Sequence, residues 1–253
     1  WAGARSIGTS HTKAGVRCDD NGICIEVHTP YGPVLIAIAS DGAGSAKHSA
    51  IGSLLVCITL ARLARDFVID GMPVGDISED VAERWLTHVR ERISTFAELR
   101  GHSSRDYAAT LVAAIVGPTD AAVLHVGDGG ATIKCWGDDH WEIPSWPTQG
   151  QFASTTYFVT DEKRPKVQHR YVDRPIQSLC VFTDGLERLI LDFAKRVPFD
   201  PFFDKMIAPL RNEATGRSRL LSRELKRFLE SPNVNDRTDD DKTLILAYRK
   251  IGL

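Results

Sequence analysis

The stretch Val34 to Ala46, VLIAIASDGAGSA, constrains this chain more than any other. Val34 to Ala39 are all apolar, the pattern of a strand buried on both faces. Ser40 and Asp41 follow at once, and Gly42 and Gly44 let the backbone turn sharply at the strand's end. Beyond the turn, Ile51, Leu54, Leu55, Ile58 and Ala61 recur at helical spacing. A strand, an acid and a glycine turn thus feed directly into a helix. A carboxylate at such a point is costly to bury unless it is paired or bound to a cation. Taken alone, one Asp-Gly reads as an Asx-type turn whose carboxylate caps the helix.

Other segments repeat the design and turn the reading toward a metal site. Asp19-Asp20 precedes the strand that starts near Ile23, Asp184-Gly185 follows Leu179–Thr183, and Asp239-Asp240-Asp241 precedes Thr243. Gly127-Asp128-Gly129 sits in the turn after Ala121–Val126. Carboxylates gathered at one end of a sheet repel each other unless cations lie between them. Carboxylates, a backbone carbonyl and water are the ligand set of magnesium or manganese. No histidine accompanies the acids in these motifs, which argues against zinc.

The elements between the acids alternate in kind. Ile23–Thr29 and Val34–Ala39 read as a hairpin across Pro30-Tyr31-Gly32-Pro33. Helices are expected from about Ser45 to Phe67 and after Ser78, the second with Val81, Trp85, Val89, Ile93 and Phe96 on its apolar face. Ala109–Val116, Ala121–Val126, Ala131–Trp136 and Leu179–Thr183 are strand candidates. Residues 144–170 are polar and irregular around one short expected strand, Tyr157–Val159, and read as a flap beside the cleft. Helical periods return at Leu186–Phe193, Phe202–Leu210 and Leu220–Leu229, and Thr243–Tyr248 closes the chain as a strand. No repeat or linker divides residues 1–253, so a single domain is expected, with sheets packed together under helices.

Composition excludes little but excludes it usefully. A formal charge of −2 gives no global field toward nucleic acid or an anionic membrane. Five scattered cysteines without a CxxC pair fit a reducing compartment. No apolar run reaches membrane-spanning length and no signal-peptide pattern is present, so a cytoplasmic protein is expected.

In order and wording, the motifs resemble the metal-dependent type 2C protein phosphatases, the PPM family, in its bacterial branch. Cys18-Asp19-Asp20 is similar to the N-terminal acidic motif, Asp41-Gly42 to the central one, and Ala108-Ala109-Thr110-Leu111 to the strand opening between them and the later motifs. Gly127-Asp128-Gly129 stands where many members have Gly-Asp-Ser. Phe182-Thr183-Asp184-Gly185 and Asp240-Asp241-Lys242-Thr243 are similar to the two late motifs, and the likeness runs from about Ile7 to Tyr248.

The resemblance implies an α+β fold, a four-layer α-β-β-α sandwich of two antiparallel sheets flanked by helices. It implies hydrolysis of phosphoserine or phosphothreonine by a water bridging two manganese or magnesium ions. Asp20, Asp41, Asp184 and Asp240 become the catalytic metal ligands, with the Gly42 carbonyl beside them, Asp128 for a third ion, and Asp19 and Asp241 as second choices. Phosphorylated proteins, including those of a cognate kinase, become the partners of a monomer.

Three departures stand out: Gly15 where many members carry a phosphate-binding arginine, Ala43 where many eukaryotic members carry histidine, and Arg188 where some place an acid for the third metal. Arg17 and His11 are the nearest substitutes for the phosphate contact. A non-catalytic PPM-like binding module and a small-molecule phosphatase remain as alternatives. Gly42-Ala43-Gly44-Ser45-Ala46-Lys47 superficially resembles a phosphate loop but lacks the glycine before the lysine and the Ser/Thr after it.

Overall fold

The computed structural model describes residues 1–147, 156–161 and 167–250. Strand β1 (Ala2–Ser6) and a short helix α1 (Thr9–Ala14) lead into the hairpin of β2 (Asn21–Thr29) and β3 (Gly32–Ser40). Two long helices follow, α2 (Ser49–Ile69) and α3 (Glu79–Glu98). Next come β4 (Leu111–Val116), β5 (Ala121–Val126), β6 (Gly130–Cys135), β7 (Glu142–Ser145), β8 (Gln168–Val172) and β9 (Ile176–Phe182). The last part holds α4 (Glu187–Ile190), β10 (Leu191–Asp192), β11 (Val197–Pro198), α5 (Asp200–Ile207), α6 (Arg219–Leu229), α7 (Pro232–Asn235) and β12 (Lys242–Tyr248).

Two antiparallel five-stranded sheets result, ordered β2-β3-β4-β5-β8 and β1-β12-β9-β6-β7. The period of two along each strand sorts side chains between layers. Ile36 and Ile38 of β3 pack under α2 and α3, while Ala37 and Ala39 face the other sheet. Cys180, Phe182, Leu244 and Leu246 pack under α5 and α6, while Leu179, Val181, Ile245 and Ala247 face inward. Helices therefore cover both outer faces, as the four-layer expectation had it. Ser78 caps α3, its hydroxyl accepting from the Val81 N–H at 3.3 Å.

The register sets one end of the sandwich apart. Asn21 pairs with Ser40, Leu111 with Val126, Gly130 with Phe182, and Ser6 with Lys242. The start of β2, the end of β3, the β5–β6 turn, the end of β9 and the start of β12 thus meet at that end. Every acidic motif occupies one of these positions.

Three expectations need correction. Tyr157–Val159 is not a strand: Val159 is buried, donates its N–H to Ala109 O at 2.8 Å, and accepts from Arg90 Nε at 2.9 Å. The helix expected over Leu186–Phe193 stops at Ile190, because Leu191 and Asp192 pair with Pro198 and Val197. β4 starts at Leu111, since Ala109 bridges Gly42 instead. Of the expected flap, 144–147, 156–161 and 167–170 are described, and the rest lies outside the described residues. Among the described residues no helix is long and apolar enough to cross a membrane, and all five cysteines are free.

Candidate metal centre

Asp41 is held by its backbone. Its N–H donates to Thr110 Oγ1 at 2.9 Å and its carbonyl accepts from the Thr110 N–H at 2.8 Å. Ser40 Oγ donates to Thr110 O at 2.6 Å, and Ala43 N–H to Ala108 O at 2.9 Å. The helix-cap reading of Asp41 fails, because α2 begins only after His48, with no side-chain cap. The carboxylate is left for other work.

It meets Asp128 and Asp184. One oxygen of each of these three side chains lies within 4.8 Å of the other two. Asp20 is fully buried beside them, and its charge acts on Asp41. Its Oδ2 accepts from Thr183 Oγ1 at 2.7 Å and Thr243 Oγ1 at 2.8 Å, so a hydroxyl from each of two neighbouring strand ends fixes the rotamer. Among the described residues its Oδ1 is buried without a partner, as is Oδ1 of Asp128, whose Oδ2 accepts from the Thr156 hydroxyl. Asp240 Oδ1 accepts from the Asp241 N–H at 2.8 Å, and its charge acts on Asp41, Asp128 and Asp184.

Without a cation this assembly resists ionisation. Burial, then the neighbouring carboxylates, push Asp41 and Asp184 well above the usual carboxylate range. Burial likewise raises Asp20 and Asp128, and desolvation on its inner side raises Asp240, although that residue is exposed. Buried like charges and orphaned oxygens of this kind call for a counter-charge. A donor set built wholly of carboxylates fits a hard divalent cation such as magnesium or manganese.

The remaining candidates are engaged differently. Asp241 Oδ1 accepts from the Gly8 N–H at 2.6 Å, and Oδ2 accepts from the Asp19 N–H and faces His11 Nδ1 at 3.0 Å. It latches α1 and the approach to β2 onto β12. Asp19 Oδ2 accepts from Ser49 Oγ at 2.8 Å, and its carbonyl from Ser53 Oγ, so it faces the first turn of α2. Arg17 is exposed. Gly15 ends α1 with φ 69°, a left-handed cap that an arginine would occupy only under strain. Arg188 is exposed, while its neighbour Glu187 senses Asp128 and is pushed up to about 7, chiefly by burial.

Glu187 and Thr156 lie outside the motifs, and Thr110, Thr183 and Thr243 lie inside them with no role of their own assigned from sequence. Thr183 and Thr243 carry a usable signal, each sitting next to or near an acid at a strand end. Glu187 carries none, because only the short helix after Asp184 turns it toward Asp128.

The protein phosphatase 2C family pattern matches residues 7–230. The chain belongs to the protein phosphatase 2C family. This phosphatase 2C chain is 32% identical over 248 residues to serine/threonine-protein phosphatase 3 of Escherichia coli strain K12, covering 96% of both chains. Its fold matches the Staphylococcus aureus serine/threonine phosphatase Stp1 with TM-score 0.66 at 15% identity, over 98% of this chain and 94% of that one. It also matches the S. agalactiae serine/threonine phosphatase with TM-score 0.62 at 17% identity, over 98% of each chain.

Proposed function

We propose that this phosphatase 2C chain removes phosphate from phosphoserine and phosphothreonine in proteins, with manganese or magnesium bound at the acidic end of the sandwich. The convergence of Asp41, Asp128 and Asp184 carries the reading, and family membership and the name of the E. coli relative support it. Asp41, Asp184, Asp20, Asp240 and the Gly42 carbonyl would hold two ions, and Asp128 with Glu187 a third. When bound, such ions lower the pKa of water and neutralise charge on the phosphoryl oxygens. The chain's own share is placement: Thr110 fixes Asp41, Thr183 and Thr243 fix Asp20, and Thr156 fixes Asp128. We assign the substrate phosphate to Arg17 ahead of His11, whose ring already faces Asp241.

The whole chain would act as one domain and as a monomer in the cytoplasm, on the proteins of a cognate kinase. The 144–170 segment would shape peptide access. Phosphate release from phosphopeptides, nucleotides and sugar phosphates, with manganese and with EDTA, tests this. Phosphopeptide turnover that EDTA abolishes is expected. Turnover confined to the small molecules, or surviving EDTA undiminished, sinks it.

A further inference from the structure

We propose that a basic cleft between β1, β2 and α6 binds an extended acidic segment of the protein substrate, an inference that deepens the protein-phosphatase reading. The cleft measures about 740 Å³ and is lined by Arg5, Arg217, Arg219, Arg223 and Lys226, with no acidic residue in its walls. That is a marked local excess in a chain whose net charge is −2.

The sequence builds the basic wall through helical spacing. Arg219, Arg223 and Lys226 recur at i, i+4 and i+7, which places them on one face of α6. Ser218 starts the helix, its hydroxyl accepting from the Leu221 N–H at 3.1 Å, and fixes that face. Ser222 Oγ accepts from the Gly3 N–H of β1 at 3.3 Å and holds the helix against the sheet edge.

Some of these charges already have partners. Arg5 Nη1 donates to Asp20 O and Asn21 Oδ1 at 2.7 Å each, Lys226 Nζ lies 3.7 Å from Glu230, and Arg217 stands over the Trp1 ring at 5.4 Å. Arg219 and Arg223 are exposed, and neither has a hydrogen bond or ion pair among the described residues. Two like charges one helical turn apart repel, and an anionic ligand between them removes that cost.

The opposite wall selects the ligand's shape. Gly22, Ile23 and Cys24 belong to β2, which among the described residues pairs only with β3. Its outer edge therefore leaves alternate N–H and C=O groups without ladder partners. An extended peptide can add to such an edge while its acidic side chains reach the guanidinium groups across the cleft. Single-stranded nucleic acid would want a run of aromatic platforms, and Trp1 is the one aromatic residue in these walls. Through Arg5 and Asp20 the cleft abuts the metal centre from behind.

Binding is tested first on metal-free protein, by fluorescence anisotropy of a labelled, unphosphorylated Glu- and Asp-rich peptide. We expect saturable binding that added salt weakens, and an affinity about tenfold or more lower in the double variant Arg219→Glu, Arg223→Glu. Absent binding, or equal binding by the variant, overturns the proposal. A single-stranded oligonucleotide that binds more tightly than the peptide overturns the choice of ligand. With manganese, the variant should lose about tenfold in kcat/KM, through KM, on phosphopeptides with acidic flanks. Neutral-flanked phosphopeptides and p-nitrophenyl phosphate should be unchanged, and an equal loss on all three overturns the docking role. If the wild type turns over no phosphopeptide, the protein-phosphatase reading fails, and the anisotropy alone decides the cleft.

Discussion

At Asp41 the main chain does the holding and the side chain is left free, so the two can be separated by substitution. Asp41→Asn keeps the backbone bonds to Thr110 and removes one charge from a cluster that resists ionisation. Turnover should fall about 100-fold or more with a raised manganese requirement, as phosphate release across a manganese titration will show. The metal-free melting temperature should stay level or rise, because like-charge repulsion is relieved; a marked drop would mean that Asp41 is structural. Gly185 is the opposite case. A Cβ there would lie 2.0 Å from Asp241 O, against backbone that cannot yield without moving β12. Gly185→Ala should cost about 3 kcal/mol in urea unfolding, whereas Gly44→Ala, with nothing within 4 Å, should be near neutral. Single residues were legible where one acid stands at a strand end, as at Asp41, Asp128 and Asp184. In the run Asp239-Asp240-Asp241 the sequence could rank the acids only by motif. The pairing of Lys242 with Ser6 sets which carboxylate turns inward, and a register is invisible in a run of identical residues.

Among the elements, β5 carries one polar side chain in a strand whose other residues are all apolar and buried. His125 is wholly buried, its Nδ1 lies 2.7 Å from Ser145 Oγ of β7, and Nε2 has no partner among the described residues. It thus ties one sheet to the other just before the turn that carries Asp128. Burial pushes its pKa down to about 4. The unfolded chain, with an ordinary histidine, therefore binds the extra proton first as pH falls from about 6.5 toward 4. Stability is lost over that window, by about 2 kcal/mol between pH 7 and pH 5. Urea unfolding at both values checks this, and His125→Leu should abolish that part of the pH dependence; an unchanged difference refutes it. Position in the sheet also explains which strands could be read. The apolar runs of β3, β4, β5, β9 and β12 are central strands covered on both faces. The strands missed in the two large sheets, β1, β7 and β8, are edge strands with half-exposed sequences such as AGARS and QHRYV, and one ladder partner each demands little apolarity.

At the scale of the whole molecule, the acids join what the sequence keeps apart. Asp20 and Asp41 flank strands of one sheet, Asp184 and Asp240 flank strands of the other, and Asp128 sits in the turn between β5 and β6, which belong to different sheets. A cation held by Asp41 and Asp184 would therefore staple both sheets at one end. The unfolded chain has no such site, because its ligands are spread from residue 20 to residue 240. Binding must then stabilise the native state by mass action, about 2.7 kcal/mol at a free concentration of about 100 times Kd. For a chain of 253 residues that corresponds to a rise of about 5–10 °C in Tm. Manganese added to metal-free protein should produce it, EDTA should reverse it, and Asp41→Asn should lose most of it. Hydrogen exchange should slow at the end of β3 and the end of β9 together, because one ion would hold both. Protection gained by one sheet alone, or a Tm indifferent to manganese, would mean that the acids do not share a metal.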